Sequence, residues 1–177
     1  MPPTIWCMNL KDNRDEPRRN RDMELKFRLC RERSMIAIGW AVEDDVNSWE
    51  EYILRADIKY QADTAYATAR KGLQSMKPGD LVWTRNPVTH EHYLVEITDE
   101  TPRIYGSLKE FDICGCRSGT FHLVPDAILT GALSSKNLSA RHTIERIRID
   151  GKRNASIEAT KFLFNDIKHN GIKNNGG

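Results

Sequence analysis

Four tryptophans, Trp6, Trp40, Trp49 and Trp83, are the residues of this chain best suited to holding a flat, polar guest. Aromatic side chains lining a barrel mouth can stack on the two faces of a nucleobase. Such stacking is worth ~1–3 kcal/mol per base. Extruding a base from a duplex costs a few kcal/mol, so a pocket must add contacts to the base edge. The guest's phosphates would need cations. Arg14, Arg18, Arg19 and Arg21 cluster in one charged stretch, and Arg85, Arg117, Arg141, Lys152 and Arg153 could extend that surface. Each phosphate contact would steepen the salt dependence of binding.

Both groups have a plainer reading. Buried tryptophans are commonly core residues whose indole N–H is satisfied locally. On periodicity alone that reading is the stronger for Trp6 and Trp40, and it also suits Trp83 and Trp49. The arginine stretch is equally compatible with a solvated loop, since Asp15 and Glu16 lie within it.

Other chemistry finds less support. Cys114-Gly115-Cys116 with His122 lacks the second ligand pair of a structural zinc site. It reads better as thiols alternating along a strand. His90 and His92 flank Glu91 without a partner cluster. Glu24-Leu25-Lys26 has the local form of a nuclease motif but falls on an expected helix. There is no G-x-S-x-G elbow, H-E-x-x-H helix, phosphate loop or zinc-deaminase signature. No catalytic constellation, metal site or cofactor is therefore expected. Asp80, after Pro78-Gly79, reads as a turn carboxylate that accepts backbone N–H groups.

These residues must be positioned by a small set of elements. Thr4–Leu10 reads as a strand carrying Trp6. Lys11–Arg21 reads as a loop, and 22–32 as a short helix, with a strand as the alternative. Met35–Val42 is a continuous apolar run, expected as a buried strand carrying Trp40. Asn47 or Ser48 can cap a helix through Trp49, Ile53 and Leu54. The clearest helix begins at Gln61 or Asp63, with Ala62, Ala65, Tyr66, Ala69, Leu73 and Met76 on one stripe. Pro78-Gly79 ends it. Leu81–Thr84 and Tyr93–Thr98 form an expected strand pair, and Arg103–Tyr105 another short strand. Arg117-Ser118-Gly119 reads as a hairpin turn between strands 113–116 and 120–124. A short helix capped by Asp126, a loop over 134–139, an ambiguous segment 143–149 and a helix over 154–168 complete the pattern. The Gly/Asn-rich tail from Asn170 is expected to be disordered.

Composition bounds the class. The chain has 177 residues, 39% hydrophobic and 29% charged, as expected of one soluble globular domain. The net charge is only +2 but is unevenly spread. Residues 11–33 carry nine Lys/Arg against six Asp/Glu, residues 141–177 eight against four, and residues 43–63 two against seven. That distribution implies a polarised surface. No apolar run approaches the ~20 residues of a membrane span, and Met1-Pro2-Pro3-Thr4 has no secretory features. A cytoplasmic location with reduced thiols is expected.

The order Ile5-Trp6, Ile38-Gly39-Trp40, an Ala-rich helix, Met76-Lys77-Pro78-Gly79-Asp80-Leu81-Val82, a Tyr/Val-rich strand, His122-Leu123-Val124-Pro125 and Arg141-His142-Thr143-Ile144 resembles the PUA-like superfamily. It is most similar to the EVE-like modules at the N-termini of modification-dependent restriction systems. The resemblance covers residues 4–149 and departs from the pattern at Cys7-Met8-Asn9 and in the long charged loop 12–21. It implies an α+β fold with a curved mixed β-sheet closing toward a barrel, flanked by helices. The domain would span 1–150, with 151–169 as a C-terminal helix packed on it and 170–177 as tail. It further implies a defence-associated, non-enzymatic module that binds DNA or RNA through a flipped base, modified or not. Trp6, Trp40, Trp83 and Trp49 would form the pocket, and Arg14, Arg18, Arg19, Arg85 and Arg117 would contact phosphates. The alternatives are a sensor that takes a free nucleotide-like molecule in the same pocket, and a phage- or defence-associated protein-interaction factor.

Overall fold

The computed structural model describes residues 2–9, 19–42, 45–140, 143–148 and 153–171. Seven strands and five helices alternate along it: β1 (Ile5–Met8), α1 (Arg19–Glu32), β2 (Met35–Ile38), α2 (Trp49–Lys59), α3 (Thr64–Ser75), β3 (Leu81–Arg85), β4 (His92–Ile97), β5 (Arg103–Ile104), β6 (Gly115–Val124), α4 (Ser135–Leu138), β7 (Ile144–Arg146) and α5 (Asn154–Asn170). The strands form one strongly curled, half-barrel mixed sheet with helices flanking it, an α+β arrangement. Its order is β2-β6-β4-β3-β1-β7, with β5 pairing to the start of β6 on the edge opposite β2. Only β1 and β3 run parallel, and the other pairs are antiparallel.

Period-two alternation sorts the side chains onto two faces. Trp6 and Met8 enter a core shared with α1, α2 and α3, where they join Phe27, Tyr52, Tyr66 and Leu73. Ile5 and Cys7 point the other way, into a second core closed by Ile157, Leu163, Phe164 and Ile167 of α5. A third cluster, Cys30, Met35, Ala37, Leu108, Ile113 and Cys116, lies under α1.

Helix starts follow local chemistry. Ser48 Oγ accepts the Glu51 N–H at 3.1 Å and caps α2. Asp63 caps α3 by accepting from Ala65 and Tyr66. Tyr66, Ala69 and Leu73 bury one face of α3, and Met76 is buried just after it, whereas Ala62 and Ala65 of the expected stripe are exposed. Gly72 faces the sheet where an added Cβ would stand 2.6 Å from Ile144, so a small residue there lets α3 press onto β7.

Three expectations are corrected. Residues 117–119 are not a turn: β6 is one ten-residue strand that pairs first with β2 and β5, then with β4. Gly119 serves that crossover, since a Cβ there would lie 2.9 Å from the Glu96 carbonyl oxygen. Trp40 is not on a strand: β2 ends at Ile38 and Trp40 adopts φ +65. The 134–139 loop contains the short helix α4. The ambiguous segments resolve as helix α1 and strand β7. Most of the expected charged loop (residues 11–18) and the end of the tail lie outside the described residues. Among those described, no helix is long and apolar enough to cross a membrane.

Candidate functional site

All four tryptophans are buried, and they do not share one pocket. Trp6 donates its indole N–H to Asp80 Oδ2 at 3.0 Å. The same carboxylate accepts the Thr4 and Lys77 N–H groups at 2.9 and 3.1 Å, so Asp80 fastens β1 to the turn before β3. Trp40 donates to Asp63 Oδ2 at 2.8 Å and meets Tyr66 edge-on. Trp49 packs against Tyr52, on a spot where a Cβ at Gly115 would come within 2.5 Å of its ring. Trp83 corrects the expected grouping. Its neighbour Val82 pairs with Trp6, which turns Trp83 to the opposite side of the sheet. There its N–H reaches Thr160 Oγ1 of α5 at 2.9 Å.

The arginines divide as well. Arg14 and Arg18 lie outside the described residues, and Arg19 is the first residue of α1. Arg85 is exposed at the end of β3. Arg117 is fully buried, which corrects its expected role: no phosphate can reach it. It donates to the carbonyls of Leu73 (3.1 Å) and Met76 (2.6 Å), where α3 ends, and to Asp99 Oδ1 at 2.7 Å. A cation is favourable at a helix C-terminus. Lys26 is similarly committed, pairing with Asp112 at 2.7 Å beneath α1.

The most ligand-like feature is a half-open cavity of about 290 Å³ between the segment that follows β2, α2, and the 3-10 turn Gly106–Phe111. Val42, Val46 and Ile104 supply apolar walls, Tyr105 supplies a half-buried ring, and Tyr52, almost wholly buried, closes the back. Asn47 brings an amide to the edge. Asp45 and Lys109 pair at 3.2 Å between two sides of the cavity. Exposed pairs of this kind contribute ~0–1 kcal/mol, so this one is easily parted.

The cavity's shape depends on the strained turn at Trp40. A bulky residue at positive φ costs about 1–3 kcal/mol and persists only where its surroundings fix it. Here the Tyr52 hydroxyl bonds the carbonyls of Gly39 (3.0 Å) and Trp40 (3.1 Å), and Tyr60 bonds that of Ala41. Burial pushes the Tyr52 hydroxyl well above the ordinary tyrosine range, so it stays protonated and bonded. Burial next to Asp63 raises its carboxyl, but the bonds from Trp40, Tyr66 and Ala65 outweigh that and hold it below the usual range. Gly39 is required because a Cβ would fall 1.9 Å from Asp112 Oδ1.

Cys114 also lines the cavity. Burial, then the Asp112 charge, push its thiol up to about 12, so it is no nucleophile at neutral pH. Cys116 enters a different cluster and His122 packs on Phe164, so the C-x-C motif and this histidine are dispersed. Among the described residues no group of three His, Cys, Asp or Glu side chains could hold a metal.

A second, wider groove of about 810 Å³ runs between α3, α4 and β7, and Trp6 is the one tryptophan that reaches it. Sequence reasoning missed Tyr52, Tyr105 and Asn47. The available signal was an aromatic residue ending the short 103–105 strand. Scans of protein-family models, curated proteins and solved structures found no match to this chain.

Proposed function

We propose that the chain is a nucleic-acid recognition module of the PUA-like, EVE-like kind, and that it seats an extruded base in the cavity between α2 and the Gly106–Phe111 turn. One observation carries the reading: a half-open slot walled by Tyr52, Tyr105 and Ile104 with the Asn47 amide at its edge. Its volume, about 290 Å³, sits at the small end of ligand pockets, which suits a single heterocycle better than a large cofactor. Tyr105, half-buried, offers a ring to stack on. Asn47 can both donate to and accept from a base edge. Stacking of ~1–3 kcal/mol per base together with edge bonds is of the size needed to offset extrusion.

The indoles contribute indirectly in this reading. Trp40 and Trp49 brace the walls instead of touching the guest. A free nucleotide in the same slot is the second reading, supported by the same Tyr105 ring and Asn47 amide. Titration with modified and unmodified oligonucleotides, and with mononucleotides, tests both. Tyr105→Ala is expected to weaken oligonucleotide binding at least tenfold at a temperature where circular dichroism shows the variant folded. Equal binding by wild type and Tyr105→Ala would refute the site. Binding confined to mononucleotides would favour the sensor.

A further inference from the structure

The wide groove between α3, α4 and β7 gathers cations that the fold does not use. Lys71 on α3, Lys136 on α4, and Arg146 and Arg148 at the β7 end all line it, and all four are exposed. None of the four has an ion-pair partner among the described residues. Arg153, also in the groove, is by contrast joined to Glu145. The β7 strand is the sheet's edge, so Arg146 and Arg148 stand two residues apart along an open border. Like charges held together raise the free energy of the empty site, and a bound polyanion relieves that cost.

The remaining lining narrows the partner. Thr68, Ser75, Asn137 and Ser139 keep the lining polar, but their donors bond the carbonyls of Thr64, Lys71, Gly131 and Lys136, so the four cations supply the contacts to an anion. Trp6 forms part of the wall, but it is only 6% exposed and its N–H is committed to Asp80. No base can stack on it from the groove. Ile144, the other apolar residue of the lining, is also buried, so neither it nor Trp6 stands out as an anchor of the kind that dominates protein–protein interfaces.

We infer that this groove holds the sugar–phosphate backbone of a nucleic acid, reading charge and not sequence. The inference is independent of the base-seating cavity, which lies between other elements and shares no residue with the groove.

The test uses the full chain and an unmodified duplex, with the matching single strand and a polyglutamate of similar charge as comparators. Affinity is followed by fluorescence anisotropy against salt. If the four unpaired cations each meet a phosphate, the log–log salt slope on duplex is about −3.6. In an Arg146→Ala/Arg148→Ala double variant that slope becomes shallower by about 1.8, and affinity drops alike for every sequence. Both arginines are exposed, so the melting temperature stays put. Lys71→Ala, on another element, gives a separate shift of about 0.9. An unchanged slope in both variants overturns the inference. So does absence of nucleic-acid binding by wild type, or polyglutamate binding that matches the duplex. Tyr105→Ala distinguishes the two sites: it alters base preference at constant slope, and its failure leaves the groove result standing.

Discussion

Replacing Arg117 by Met tests how the sheet and α3 are locked together. The substitution keeps the length and most of the bulk but removes the guanidinium. Lost with it are bonds to the carbonyls of Leu73 and Met76 and the pair with Asp99 at 2.7 Å. Two α3-end carbonyls then face the interior without a donor. Asp99, whose side chain is only 12% exposed, loses its buried partner. Breaking a buried pair from one side typically costs 3–5 kcal/mol. Asp99 still accepts the Ser118 N–H at 2.8 Å and lies 3.5 Å from Arg103, so the cost should fall in the lower half, about 3–4 kcal/mol. For a chain of this size that corresponds to a drop of about 6–16 °C in melting temperature. Urea unfolding followed by tryptophan fluorescence measures it, and a double-mutant cycle with Asp99→Asn isolates the pair. A loss below about 1 kcal/mol, or a coupling energy near zero, would refute the reasoning.

Two further outcomes follow from the geometry. Gly39→Ala should cost about 1–3 kcal/mol in urea unfolding, because its Cβ meets an Asp112 carboxylate that Lys26 already holds; a change within 0.5 kcal/mol would mean that Asp112 can swing away. Stability should also fall with acid. His92 and His122 both sit below the ordinary value of 6.5, chiefly through burial, with Arg85 adding to the effect at His92. Protonation therefore favours the unfolded chain: stability from this source is complete above pH 6.5 and declines as pH drops through the depressed folded values. Melting temperatures across that window should decline less in a His92→Gln/His122→Gln variant, and an equal decline in both proteins would assign the pH dependence elsewhere.

Local chemistry was legible in the sequence where it decides the outcome by itself. The start of α3 is one case, because the Asp63 cap and the Tyr66-Ala69-Leu73 spacing act within a few residues. The Asp80 turn is another in part: its bond from the Lys77 N–H is local, whereas those from Thr4 and Trp6 come from the far end of the chain. What stayed hidden depends on which strand pairs with which. Trp6 and Trp83 look alike in sequence, yet the parallel register of β1 on β3 sends them to opposite faces. Gly119 suggested a reversal because glycine permits one, whereas here its missing side chain admits a neighbouring strand. Arg117 looked available because burying an arginine is costly, and only the meeting of the α3 end with Asp99 makes it tolerable. The cavity draws Asn47 and Tyr105 from distant parts of the chain, so nothing around Asn47 announced it and Tyr105 was marked only as the aromatic end of a short strand.

The unbroken course of β6 ties distant regions into a single mechanical part. Cys114, which touches the cavity, immediately precedes its first residue, and His122 near its far end rests on Phe164 of α5. Between them the strand is stitched to β2 and β5 on one stretch and to β4 on the next. It behaves as a tie-rod: the two halves of the curl cannot part company without tearing it.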